Sequence, residues 1–115
     1  MQITYTDDRG WLIVTLVGNA ETYGAEGWRT FRQDFPWERG AKVIIEIHEV
    51  DGASDDAVGA LMGLTADAHH RSGRVVVVGE NDDLRARISV LGMEGYIRTA
   101  WSVEQARATL DIAHE

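Results

Sequence analysis

Three short runs of branched apolar residues, Trp11–Val17, Lys42–Ile47 and Arg74–Val78, are each followed by a stretch compatible with a helix. The runs are too short for buried helices and rich in the β-branched residues that strands favour. Strands joined through helices run parallel, because a parallel connection needs a crossover of about a dozen or more residues. The third run, Arg74-Val75-Val76-Val77-Val78, is apolar enough to be buried on both faces.

The remaining elements fall around that frame. Ile3–Thr6 reads as a hairpin partner of the first run, turning through Asp7-Asp8-Arg9-Gly10. A helix is predicted from Thr22 to about Phe31, weakened by Gly24 and Gly27, and Pro36 and Gly40 bracket a loop. Ser54 reads as an N-cap, with Asp55 and Asp56 in a first turn where carboxylates favour the positive helix end. Val58, Leu61, Met62 and Thr65 follow at helical spacing, and Gly73 stops that helix. Asp82 or Asp83 opens a third helix that runs to about Leu91 and ends at Gly92. Tyr96–Thr99 is predicted as a short strand, and Ser102 as the cap of a last helix reaching about Ile112.

The order β-β-α-β-α-β-α-β-α describes one α/β domain over residues 1–115. Its sheet is mainly parallel, with the first strand free to run antiparallel. A doubly wound domain of the response-regulator kind would want carboxylates at the end of its first strand. This chain has Val17-Gly18-Asn19 there, which disfavours it.

Composition narrows the function classes. At 115 residues and 44% hydrophobic, the chain can build one real core. The absence of cysteine excludes disulfides, thiolate zinc sites and thiol catalysis, and suits a reducing cytoplasm. The N-terminus lacks a basic region followed by an apolar run, so no secretory signal is expected. The apolar runs fall far short of the ~20 residues that span a bilayer, and a soluble cytoplasmic protein is expected. A net charge of −8, from 19 acidic and 11 basic residues, repels phosphate backbones and argues against nucleic acid as a partner. Arg71, Arg74, Arg85 and Arg87 lie among carboxylates late in the chain and read as a solvated face without a dense patch.

Asp55 and Asp56, with Glu21 near, could suggest acid–base catalysis or a Mg²⁺ site. Adjacent residues on a helix point about 100° apart, so the pair does not converge. His69 and His70 likewise cannot both face one ion, His48 is near a strand end, and His114 is near the C-terminus. No nucleophile and base recur at a recognisable spacing, so no catalytic residue, metal or cofactor is assigned. Gly79-Glu80-Asn81-Asp82 reads as a turn. Trp11 and Trp101 are expected to pack in the core or at an edge, leaving Trp37 as the exposed aromatic candidate.

On this order of elements, the chain from Ile3 to Leu110 resembles the STAS family, named for sulfate transporters and anti-sigma factor antagonists. Family members carry Asp-Ser-Ser-Gly-Leu-x-x-Leu at the start of the second helix, and Ser54-Asp55-Asp56-Ala57-Val58-Gly59-Ala60-Leu61 is similar to it. Arg71-Ser72-Gly73-Arg74-Val75 resembles the family's Gly-then-strand step, and Ile88-Ser89-Val90-Leu91-Gly92-Met93 its Leu-x-x-x-Gly-Leu helix ending. Ser102-Val103-Glu104-Gln105-Ala106 is similar to the start of its closing helix.

The resemblance implies a STAS fold, a four- to five-stranded mixed β-sheet with helices packed on one face. It also implies a non-enzymatic module that binds an anti-sigma factor or serine kinase-like protein. In the family that kinase phosphorylates the serine or threonine just before the Gly, which blocks binding. Asp56 stands at that position here, Asp55 precedes it, Ser54 occupies the usual Asp position and Ala57 replaces the Gly. A carboxylate cannot accept phosphate from a serine kinase. Asp56 is either a built-in mimic of the phosphorylated state or only helix-end chemistry, and the two do not exclude each other. Ser54 is read as a cap and, alternatively, as a shifted phosphoacceptor. Glu21 is expected to fill the family's acidic position facing this site.

The expected partner surface is the first-loop and second-helix rim: Glu21, Thr22, Asp51, Gly52, Ser54, Asp55, Asp56 and the exposed side of Gly59–Gly63. The alternative is a constitutive STAS subunit, docked on a membrane transport ATPase or packed into a stress-sensing assembly.

Overall fold

A computed structural model describes the backbone of residues 1–113 and the side chains of residues 1–108. Strands β1 (Gln2–Asp8), β2 (Trp11–Asn19), β3 (Lys42–Asp51), β4 (Arg74–Val78) and β5 (Arg98–Ala100) form one sheet in the order β1-β2-β3-β4-β5. β1 pairs antiparallel with β2, and every later neighbour is parallel. Helices α1 (Ala20–Gln33), α2 (Asp55–His70) and α3 (Asp82–Val90) connect the parallel strands, and α4 (Val103–Ala113) follows the last one.

From β2 onward the strand order never reverses. Right-handed crossovers that all advance the same way put their helices on the same face of the sheet. Leu12, Val14, Leu16, Val43, Ile45, Val75 and Val77 accordingly pack with Trp28 and Phe31 of α1, Leu61 and Leu64 of α2, and Leu84 and Ile88 of α3. Because α4 leaves the last strand without a further crossover, this constraint does not bind it. It covers the other face, where Trp11, Ile44, Val76, Val78 and Ala100 meet Ala106. The expected one-face packing therefore holds for α1–α3, and α4 supplies the second cover that an apolar β4 requires.

Local details depart from the sequence expectations for visible reasons. α1 starts at Ala20, earlier than predicted, because the Asn19 side-chain oxygen accepts from the Glu21 and Thr22 amides at 2.9 and 3.1 Å. The helix is interrupted at Gly24, whose φ of 74° and ψ of 169° are not helical. The Trp28 indole N–H donates to the Ala20 carbonyl at 2.9 Å, tying the two sides of the break together. β3 runs on to Asp51 because, past a register shift in β2, Glu49, Val50 and Asp51 pair with Val17, Gly18 and Asn19. β5 starts at Arg98 and not Tyr96, since the Tyr96 and Ile97 amides turn back onto the Met93 carbonyl at 2.9 and 2.8 Å.

Two tryptophans exchange their expected roles. Trp37 is half-buried, with its ring centroid 4.6 Å from Phe35 and the Arg71 guanidinium 5.0 Å from its own centroid. Trp101 is 55% exposed and carries the Arg85 guanidinium 4.4 Å above its ring. Trp101 follows the last strand directly and leads into α4, where its amide donates to Gln105 Oε1 at 2.7 Å. His114 lies outside the described residues.

Candidate functional site

Because β2, β3 and β4 are parallel, their carboxyl ends and the starts of α1, α2 and α3 share one rim of the molecule. Three side chains build it. Asn19 caps α1 as described. Ser54, with extended φ and ψ of −154° and 160°, accepts the Ala57 amide on its Oγ at 3.1 Å and caps α2. Asn81 caps α3 by accepting the Leu84 amide at 3.0 Å, while its Nδ2 donates to the carbonyls of Val50 and Gly52, both at 2.9 Å. One asparagine thus caps a helix and clamps the loop that leads into α2.

Asn81 was missed by the sequence reading, which opened α3 at Asp82 or Asp83. Its signal was an Asn immediately before acidic first-turn residues. The clamp onto β3 involves residues 29 and 31 positions away, which no local pattern reports. Gly52, one of the two, has φ of 72°, a left-handed backbone that favours glycine.

The two aspartates at the start of α2 diverge as helix geometry requires. Asp55 faces α3, its Oδ1 3.3 Å from Arg87 Nη1. Asp56 lines a groove of about 280 Å³ with Ala25, Trp28, Arg29, Arg32, Gly59 and Ala60, a groove that Asp55 also lines. Among the described residues Asp56 has no ion-pair or hydrogen-bond partner on its carboxylate. It is exposed, as are Glu21, Thr22, Asp51, Asp55 and Gly59.

The remaining rim residues are not all equivalent. Glu21 lines a different groove, of about 520 Å³, with Gly52, Ala53, Asp83, Arg87 and Val90. Glu21 and Asp56 thus line different grooves of the rim. Thr22 donates from its hydroxyl to the Asn19 carbonyl at 3.3 Å. Gly63 is buried, and a Cβ there would run into the Arg32 side chain, so it offers no free surface. Arg32 lies across it, paired with Asp67 through two bonds of 3.1 and 3.2 Å. The Asp67 hydrogen bonds raise the guanidinium pKa above its ordinary value, against a smaller lowering by desolvation.

Among the described residues, no group of three or more His, Cys, Asp or Glu is placed to hold a metal ion, and no helix is long and apolar enough to cross a membrane. His69 lies edge-on to Tyr96, with ring centroids 6.1 Å apart. Chemically the rim is an acidic surface on which a side chain caps each of three helix starts.

No protein-family model and no curated protein sequence matches the chain. Solved structures do. A serine-to-glutamate variant of RsbS from Moorella thermoacetica superimposes with a TM-score of 0.78 at 13% identity, covering 100% of both chains. The anti-sigma factor antagonist SpoIIAA, in its unphosphorylated form, gives 0.75 at 13% identity over 96% of each chain. A structure describing the molecular architecture of the stressosome gives 0.74 at 13% identity, over 97% of this chain and 99% of that one. At such identities the likeness establishes the fold, which is the one the sequence resemblance implies.

Proposed function

We propose that this chain, a STAS-fold domain with the architecture of the anti-sigma factor antagonists, is a non-enzymatic regulatory module that binds an anti-sigma factor or a related kinase-like protein. The observation that carries the reading is Asp56: exposed, without a partner among the described residues, in the first turn of α2 and open to the α1–α2 groove. It stands where the resemblance puts a phosphoacceptor serine. A carboxylate there carries about one negative charge where a phosphoserine carries about 1.5 to 2, so it is a partial and permanent stand-in. Binding would then be set once by sequence and not switched by a serine kinase.

The partner surface runs over Asp51, Gly52, Ser54, Asp55, Asp56 and Gly59, with Glu21 and Thr22 at its edge. The clamp from Asn81 and the three caps support a pre-formed surface, which lowers the ordering cost of association. A second reading, a constitutive subunit of a larger STAS assembly, is favoured by the likeness to a stressosome structure.

One experiment separates them: parallel pull-downs from native cell extract with wild type and Asp56→Ser as baits. Recovery of a kinase-like ATP-binding protein, stronger with Asp56→Ser, is the expected result. Equal recovery of assembly subunits by both baits would move the assignment to the second reading. Phosphate appearing on the wild-type α2 start, after incubation with the recovered kinase and ATP, would overturn the claim that the switch is absent.

A further inference from the structure

The net charge of −8 makes any local excess of cations conspicuous. One exists at the far end of the α1–α2 groove from the rim. Arg29 and Arg32 of α1 and Arg71, just after α2, line a groove of about 360 Å³ together with Gln33, Trp37 and Asp67. Sequence distance hides this cluster, because α1 and the end of α2 come together only in the fold.

The three guanidinium groups are not in the same state. Arg32 is committed: its Nε and one Nη hold both oxygens of Asp67, which neutralises the only carboxylate in the groove lining. Arg71 is oriented but not consumed. Its plane lies over the Trp37 ring at 5.0 Å and its Nη1 donates to the Asp67 carbonyl at 3.1 Å, leaving most of its five N–H donors unused. Arg29 is exposed and, among the described residues, has neither an ion-pair nor a hydrogen-bond partner. Two cationic forks therefore face one groove beside an already neutralised carboxylate.

From this arrangement we infer that the groove binds a phosphate dianion, free or as a monoester, held between Arg29 and Arg71. Two unneutralised guanidinium groups match a dianion better than a single carboxylate, and their paired donors suit phosphate oxygens. The stacking of Arg71 on Trp37 lowers the cost of ordering one of the forks before the ligand arrives. Since the molecule as a whole repels anions, such binding would be local to this groove. The phosphate could be free or borne on a phosphorylated side chain of a protein; the chemistry of recognition is the same.

The test is nitrogen-15 NMR of the full chain, following arginine Nε–H and tryptophan indole resonances at constant ionic strength. Inorganic phosphate should shift Arg29, Arg71 and Trp37 saturably, with a dissociation constant of about the millimolar range. The double substitution Arg29→Gln with Arg71→Gln should weaken this by about tenfold or more, whereas Arg9→Gln with Arg98→Gln, which removes equal charge elsewhere, should not. Since Arg29 has no partner to lose among the described residues, Arg29→Gln alone separates binding from folding: it should weaken phosphate while leaving the melting temperature unchanged.

A Gly-Gly-phosphoserine-Gly-Gly peptide identifies the source. Binding tighter than inorganic phosphate points to a phosphorylated protein, and equal or weaker binding to free phosphate. The inference is overturned by the absence of a saturable shift, by equal shifts at Arg9 and Arg98, or by acetate acting as strongly as phosphate.

Discussion

On its α3 side, α2 is tied at both ends, by Asp55 against Arg87 at 3.3 Å and by His69 edge-on to Tyr96. On its α1 side the backbones come closer, with Gly63 buried beneath the Arg32–Asp67 pair, yet Asp56 and Arg29 are left without partners among the described residues. The flank with the closest packing is thus the one with unsatisfied charge. The difference teaches where function can sit. Paired groups such as Asp55 hold elements together, and a group that stabilises nothing internal, such as Asp56 or Arg29, remains available to a ligand.

That contrast can be broken, beginning with its support. Asn81→Ala removes a cap and two bonds to the β3–α2 loop, both partly buried, and should cost about 2–3 kcal/mol in denaturant unfolding. Asn19→Ala, which loses only an exposed cap, should cost about 1 kcal/mol. Equal losses would show that Asn81 does not clamp the rim.

The glycines of α2 sharpen the comparison next. A Cβ at Gly59 meets open space, so Gly59→Ala should stabilise by about 0.5–1 kcal/mol through helix propensity. At Gly63 the same gain is set against displacing Arg32 from Asp67, and Gly63→Ala should come out within about 0.5 kcal/mol of neutral. A stabilisation as large as that of Gly59→Ala would mean that the Arg32–Asp67 pair contributes nothing to α1–α2 packing.

Smaller still is the contrast between neighbouring carboxylates. Asp55→Ala and Asp56→Ala should each lower stability by less than about 1 kcal/mol, Asp55 by slightly more because it also loses Arg87. Partner affinity, measured by titration calorimetry once the partner is in hand, should respond in the opposite order. A larger loss of binding from Asp55→Ala would move the partner surface to the α3 side.

The smallest effect concerns pH. Burial raises the Tyr5 phenol above its ordinary pKa of 10.0, helped by Tyr23 and Asp34 and opposed by Arg39; burial alone raises Tyr23. A raised folded pKa means that the native state holds the phenol proton more tightly. The stabilisation is complete below pH 10 and is lost as pH rises through the folded pKa values. Unfolding midpoints measured from pH 8 to 11 should fall less steeply at the alkaline end in Tyr5→Phe than in wild type.

Much of the fold was legible because it rests on local chemistry. The β-branched runs, the Ser54 cap with its aspartates, and the glycine after Leu91 fix elements through neighbours only a few positions away. Boundaries failed where a distant partner intervened: β3 gained four residues beyond Ile47 by pairing with the end of β2. Of the candidate site, the residues were legible and their directions were not. Gly63 went under Arg32, and Trp101 and Trp37 exchanged exposure.

By itself, then, the sequence determined the order of elements, the mainly parallel sheet and the carboxylate at the start of α2. These follow from side-chain period and capping, which act over one or two turns. The tertiary structure alone decided that α4 covers the second face, that Asn81 holds the loop before α2, and that Arg29, Arg32 and Arg71 meet. Each of these depends on groups about thirty or more positions apart in the chain, or on which face a helix covers, and so is set by how helices cross a twisted sheet and not by any local pattern.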